Sequence, residues 1–380
     1  MIFKKNNVNK YIPIIGSYEN SKGYFFNEFY NNKHTISFYF YKKFKKPENE
    51  LLLSNEEELK KCEIEINEKK IPFSYKYLFN KEGKYTIKYS FKNNLTNICC
   101  MFYDCSSLSK LDFSNFNTED VIIMSDLLES CTSLSNLDIS NFNTNNAKYM
   151  DNIFSGCSSL SNLDLSNFNT KNVINMSGMF LSCLSLSSLD LSNFNTENDT
   201  DMSHMFSKCN SLSNLEISNF NTENVKFMSF MSYGFSSLVE LNLSNFNTEN
   251  ITEMIDMFSK CSSLSNLNLS NFITKNVKNM FGMFANCSSL SNIDLSSFNT
   301  KNVIEMSAMF SGCSSLLNLD LSNFNTKYII NMFGMFAGCS SLTNLDLSNF
   351  NTENVTNMKF MFNGCSSLSS KNIITNDKRY

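Results

Sequence analysis

Cysteine has the type and spacing in this chain that first invite a chemical reading. Cys105, Cys131, Cys157, Cys183, Cys209, Cys261, Cys287, Cys313, Cys339 and Cys365 fall on one 26-residue grid, with Phe235 at the remaining grid point. Thiols placed so regularly can bridge, hold a metal or fill space. If successive units stack as neighbouring strands do, the Cα atoms lie about 4.8 Å apart, within the range of a disulfide. Identical side chains then point the same way, which leaves the Cβ atoms at about that distance too, beyond the usual bridging separation of about 3.5–4.5 Å. A phenylalanine in the series fits a buried apolar column and not a bonding thiol. Reduced packing thiols are therefore expected, with bridges and metal or redox work as the alternatives. Cys99, Cys100 and Cys105 contain no C-x-x-C pair and the chain has 2 histidines, so no metal ligands are assigned.

Carboxylates form the second series. Asp112, Asp138, Asp164, Asp190, Glu216, Asp294, Asp320 and Asp346 share one place in the repeat, with Asn242 and Asn268 completing the row. Like charges about 4.8 Å apart in water repel by only about 1 kcal/mol, so such a row is sustainable as a solvated face. It is also the candidate partner-binding surface, suited to a basic or polyamide partner lying along it. Calcium is disfavoured, because the glycine-rich nonapeptide spacing is missing.

Catalytic groups are scarce. His34 and His204 are isolated, and no phosphate loop, dinucleotide fingerprint, nucleophile elbow or H-E-x-x-H occurs. No catalytic residue and no cofactor is assigned; the expectation is a non-enzymatic protein. Nucleic acid is excluded as a partner, since 105–380 holds 14 basic against 24 acidic residues and the chain's one arginine is Arg379. No run of 18 apolar residues exists to span a bilayer.

The elements that would position these rows follow from the period itself. Met124, Met150, Met176 and their successors to Met358 keep the 26-residue step, as do Phe116 to Phe350 and Thr118 to Thr352. A fixed period of this length signals a solenoid whose units stack on their neighbours. In "LTNLDLSNF", Leu345 and Leu347 flank Asp346 in the alternation of a short strand. In "NVTNMKFMF", Val355, Met358, Met361 and Phe362 are three or four apart, the spacing of one face of a short helix. "NFNTEN" between them favours turns and helix caps, so the threonine column reads as caps, with an ice-binding type of ladder as the alternative. Parallel strands joined by helices imply a right-handed α/β coil.

At these residues the chain resembles a known family. "LxxLDLSxF" is similar to the strand of leucine-rich repeats, and "MFxxCSSLxxLDLS" with "LSNFNTxNVxxM" resembles the 26-residue branch of BspA-like surface proteins. The resemblance covers about 95–370 and implies a leucine-rich-repeat-type solenoid and, for function, a cell-surface adhesin or host-contact protein. Asn94, Asn175, Asn198, Asn250, Asn286 and Asn354 begin N-x-S/T triplets, although an Asn/Ser-rich repeat produces several by chance.

Residues 1–78 carry no repeat. "HTISFYFYKKF", "CEIEINEKKIPFSYKYLF" and "GKYTIKYSF" alternate apolar and polar residues, predicting antiparallel strands, and "SNEEELKK" looks like a capped helical turn. The expected organisation is a β-rich domain or cap over 1–78, a degenerate first coil over 79–104, ten repeats and a half-repeat over 105–370, and a polar tail over 371–380. A protein–protein interaction scaffold is the leading functional expectation. With no legible signal peptide or anchor the expected location is cytosolic, whereas the family resemblance implies the cell surface.

Overall fold

The computed structural model describes residues 23–31, 35–37, 60–73, 76–78, 83–377 and 379. His34 and most of the helical turn expected at 54–61 lie outside the described residues. The chain divides into two compact units, Met1–Asn172 and Val173–Tyr380.

In the first unit the strands are β1 (Gly23–Asn31), β2 (Thr35–Ser37), β3 (Glu63–Ile66), β4 (Lys69–Ile71), β5 (Lys76–Leu78), β6 (Gly83–Ser90), β7 (Leu108–Phe116) and β8 (Asn136–Asp138). Six of them form one sheet in the order β4-β3-β6-β1-β7-β8, and β2 pairs with β5. Alternation decides which faces are buried: Ile64, Ile66, Ile87 and Tyr89 all point inward. Sequence reading anticipates strands around β2 to β6 but misses β1, which lies antiparallel between β6 and β7. That insertion gives the first repeat strand a partner on its N-terminal side, where an open edge would invite aggregation. β7 and β8 then pair in parallel, Leu111 opposite Leu137 and Asp112 opposite Asp138, one period apart.

In the second unit the strands shrink to β9 (Ser188–Asp190), β10 (Asn214–Glu216), β11 (Glu240–Leu241), β12 (Asn266–Leu267), β13 (Leu345–Leu347) and β14 (Ile373–Thr375), paired in parallel as β9–β10, β11–β12 and β13–β14. β14 lies in the segment expected as a polar tail, and sets Ile374 beside Asp346.

The expected helix in each coil is absent. Among the described residues the only helical element of three or more residues is a short 3-10 turn, Ser370–Asn372. Where a helix was expected, the backbone runs as linked turns whose amides alternate between two uses. In the first unit Cys100, Phe102 and Asp104 donate their N–H groups to Ser125, Leu127 and Glu129 of the next coil at 3.0, 2.9 and 2.7 Å. The intervening Met101, Tyr103 and Cys105 donate three residues back, to Ile98, Cys100 and Phe102. The second unit repeats this, with His204, Phe206 and Lys208 donating to Ser229, Met231 and Tyr233. An α-helix would spend these amides within itself. Every fourth residue instead turns left-handed, as at Asp126 and Ser130 (φ 57° and 63°) or His204 and Lys208 (φ 59° and 63°). A left-handed residue in each turn forbids a continuing right-handed helix. The three-and-four spacing of Met124, Leu127, Leu128 and Cys131 serves this turn ribbon as well as it would a helix, because it buries the same residues.

Side-chain columns fill the interior of each unit. Members of the methionine, phenylalanine, leucine and valine columns are almost wholly buried. In the second unit, rings stack coil on coil: Phe258–Phe284, Phe284–Phe310 and Phe310–Phe336 lie 5.8, 5.6 and 5.9 Å apart and within 12° of parallel. Each such ring adds on the order of 2 kcal/mol of burial.

Threonine is also interior, which corrects both readings of its column. Thr118 and Thr144 in the first unit, and Thr196, Thr222, Thr248, Thr274, Thr300 and Thr326 in the second, are buried. They neither cap helices nor present a flat surface to ice. Each donates its hydroxyl to a backbone carbonyl of the following coil, as Thr118 does to Asn143 at 3.0 Å and Thr300 to Asn325 at 3.1 Å. Asparagine side chains add a second set of rungs: Asn219 donates to Phe194 O at 2.8 Å and Asn323 to Phe298 O at 2.8 Å. At the last of the threonines, Thr352, the acceptor is the Asp377 carboxylate at 2.5 Å, itself gripped by Arg379 at 2.7 Å.

Candidate functional site

The acidic row follows the strand line of the coils, and each carboxylate has a local structural task. Asp138, Asp190 and Glu216 end short strands, Asp112 and Asp346 lie within theirs, and Asp164, Asp294 and Asp320 take the same place in backbone that forms no strand. In the first unit Asp112, Asp138 and Asp164 accept the N–H of the serine two residues on, at 2.9, 3.0 and 2.9 Å. In the second unit Asp190, Glu216, Asp294, Asp320 and Asp346 do the same at 2.9–3.0 Å. Such a bond mimics a backbone turn and favours the charged carboxylate. Accordingly, hydrogen bonds from the following serine hold the carboxyls of Asp164, Asp190, Glu216, Asp294, Asp320 and Asp346 below the usual range. Asn242 and Asn268 make the same turn without the charge, accepting from Ser244 and Ser270 at 3.1 and 3.0 Å. Asp112 and Asp138 are half-buried, and the other six acidic members are exposed.

Near the end of the second unit the row borders an open groove of about 440 Å³, floored by Leu319 and Leu345 and edged by Asp320, Asp346, Lys371 and Ile374. The turn ribbon of the same unit carries a different surface. Phe281, Ile304, Ile330, Phe333 and Phe360 are 40–60% exposed, and the rings of Phe333 and Phe360 meet edge to face at 5.5 Å. The strand pattern gives no hint of these five, which sit at ribbon positions held by polar or small residues in most other coils, Ile122, Ile174, Phe230 and Ile255 being the other large apolar members.

The cysteine column is interior and reduced. Cys131 donates its S–H to Phe102 O at 3.2 Å, and Cys261, Cys313 and Cys339 donate to the carbonyls of Ser232, Phe284 and Phe310 at 3.1 Å each. All 13 cysteines are free of disulfides. Burial pushes the Cys209 thiol up to about 12, so it is not a nucleophile at neutral pH. Phe235, the column's exception, has a counterpart: Ser232 stands where Phe206 and Phe258 stand in the adjacent coils, and the Phe235 ring lies 6.3 Å from that of Phe206. The two exchanges keep the volume of that coil nearly constant.

His204 lies flat on Phe230, with ring centroids 4.7 Å apart and planes 6° from parallel. At the position after the threonine column, Lys275 pairs with Glu249 of the preceding coil. No helix among the described residues is long and apolar enough to cross a membrane.

Stacked 26-residue coils joined by backbone, threonine and asparagine rungs define a repeat protein built from turns and short parallel strands. The chain belongs to the family described as Mycoplasma protein of unknown function, DUF285, whose pattern matches residues 96–216, 200–316 and 290–377. No curated protein matches the chain.

Proposed function

We propose that this chain is a non-enzymatic interaction scaffold whose carboxylate row receives a basic segment of a partner protein. The supporting observation is the fixed geometry of Asp294, Asp320 and Asp346, exposed in three consecutive coils and each anchored by a serine N–H. Charges held in place before binding lose little side-chain freedom on binding, and a row of one sign steers a partner of the other. The leucine-rich-repeat and BspA-like resemblance of the repeat wording, with its right-handed coil, accords with a protein whose product is a surface.

Asn242 and Asn268 supply the design of the test, since asparagine keeps the turn and removes the charge. The triple variant D294N/D320N/D346N and the wild-type chain are titrated with a lysine-rich peptide at two salt concentrations. The proposal expects salt-dependent binding that falls at least about tenfold in the variant, with an unchanged circular dichroism spectrum. Equal binding by both proteins removes the row as the contact surface.

A second reading, a cell-surface adhesin of the BspA-like type, draws on the apolar surface formed by Phe281, Ile304, Ile330, Phe333 and Phe360. Exposed apolar clusters of this kind commonly mark contact surfaces. Labelling of intact producing cells with a membrane-impermeant reagent separates the readings: a labelled chain favours the adhesin, a protected chain the internal scaffold.

A further inference from the structure

The first unit breaks the repeat at one place with unusual chemistry. In the column of left-handed residues, Cys100, Asp126 and Asn152 follow one another at 26-residue steps, and Cys99 precedes the first of them. The Sγ atoms of Cys99 and Cys100 are 3.2 Å apart, and Cys100 Sγ lies 3.7 Å from Asp126 Oδ2. All three donor atoms fall within 4.8 Å of one another. The vicinal thiols lack the C-x-x-C spacing, so the linear sequence alone points to no metal here. The third group comes from the next coil, where only the 26-residue period can bring it.

We propose that Cys99, Cys100 and Asp126 form a binding site for a thiophilic divalent cation of the zinc type. The edges of a tetrahedron with zinc bond lengths are about 3.8 Å between two sulfurs and about 3.5 Å between sulfur and oxygen. The observed 3.2 and 3.7 Å depart from those by about 0.6 Å or less, a shift side-chain torsions absorb.

The surroundings hold the donors in place. Asn97 Oδ1 accepts the Cys99 N–H at 2.8 Å, and Ser125 O accepts that of Cys100 at 3.0 Å, which fixes the backbone carrying both thiols. Asn152 Nδ2 donates to Asp126 Oδ1 at 3.0 Å, leaving Oδ2 toward the sulfur. Second-layer contacts of this kind orient metal ligands. Cys100 and Asp126 are buried, while Cys99 is half-buried and gives the ion an approach from solvent.

The local charge also favours a cation. Glu129, Asp151 and Asp104 gather close to Asp126 and to one another across adjoining coils. A divalent ion held by Asp126 and the two thiols would offset part of that concentration of negative charge. On binding, the two S–H protons leave to solvent, and two thiolates with one carboxylate leave a net charge of −1 around the ion. The fourth position falls to water or to Glu129, which is hydrogen-bonded to Asp126.

The test uses the full reduced chain, stripped with a chelator and titrated anaerobically with cobalt(II). One equivalent of cobalt should raise a thiolate-to-metal charge-transfer band and tetrahedral visible bands, and one equivalent of zinc should abolish both. Cys99→Ser and Cys100→Ser should each lose the charge-transfer intensity, and Asp126→Asn should weaken binding about tenfold or more, all with unchanged circular dichroism. Three results overturn the proposal: no thiolate band in the wild-type chain, an undiminished band in the Cys99→Ser/Cys100→Ser double variant, or loss of two hydrogens as a vicinal disulfide without metal uptake. Cys99 is partly solvent-facing, so its serine variant tests the site without depending on the core.

Discussion

Thr222 and Asn247 are joined twice: the threonine Oγ1 donates to the Asn247 carbonyl at 2.8 Å and accepts the Asn247 N–H at 2.8 Å. One buried hydroxyl thus satisfies both backbone groups of a residue in the next coil, and the same double bond recurs at Thr248–Ile273 and Thr326–Asn351. Thr222→Val keeps the shape and orphans both groups, so it should cost about 1–3 kcal/mol. Thr222→Ser should cost less. Urea midpoints followed by circular dichroism give the order; equal losses would show that the hydroxyl is not what the site requires.

Asp199 stands in a column that the rest of the second unit fills with Val173, Val225, Ile251, Val277, Val303, Ile329 and Val355, and it is fully buried. Its Oδ2 has no hydrogen-bond partner, and burial pushes its carboxyl up to about 7. The folded state therefore holds this proton more tightly than the unfolded state. Its contribution to stability is fully present below about pH 4 and is lost as pH rises toward 7. Asp199→Val should stabilise the chain by about 1–3 kcal/mol at neutral pH and flatten the decline between pH 4 and 7. The exposed row has the opposite sign: its depressed carboxyls lose their contribution as pH falls below about 4.

Ser232 and Phe235 form a compensated pair. Phe235→Cys alone leaves a void beside Phe206 and should cost about 2–4 kcal/mol. Ser232→Phe alone crowds the same space and should cost about 1–3 kcal/mol. The double variant restores the wording of the neighbouring coils and should recover most of both losses. A double-mutant cycle without coupling would place the two side chains in separate cavities.

Lys208 separates a turn ribbon from a helix. At φ 63°, its replacement by glycine relieves a left-handed side-chain clash and should stabilise by about 1 kcal/mol. In a helix the same change would destabilise by about 1 kcal/mol. Thermal midpoints give the sign directly.

The repeat and its buried columns were legible because strict periodicity fixes which residues meet; the strand expected in every coil forms in some coils and is absent from those of Asp164, Asp294 and Asp320. What periodicity left open was backbone hydrogen bonding. Met358, Met361 and Phe362 present one face equally well from a helix or from linked turns, and the clue lay in the glycines: Gly156, Gly178, Gly234, Gly282, Gly312, Gly334, Gly338 and Gly364 fall at the two left-handed positions. The acidic row was visible, but not its serine anchors, since a turn of that kind needs φ and ψ as well as spacing. The Cys99–Cys100–Asp126 cluster was hidden for a simpler reason. Asp126 meets the two cysteines only across the coil boundary, 26 residues away, a proximity that linear spacing does not display.

Native-state thiol labelling, mapped by mass spectrometry, tests the in-register stack most directly. The chain has 13 cysteines, and in the folded, metal-free, reduced protein Cys99 should react first while Cys131, Cys157, Cys209, Cys261, Cys287, Cys313 and Cys339 stay protected until denaturant is added. Column thiols that react in the folded protein as fast as in the denatured one would contradict the stack and every reading built on it.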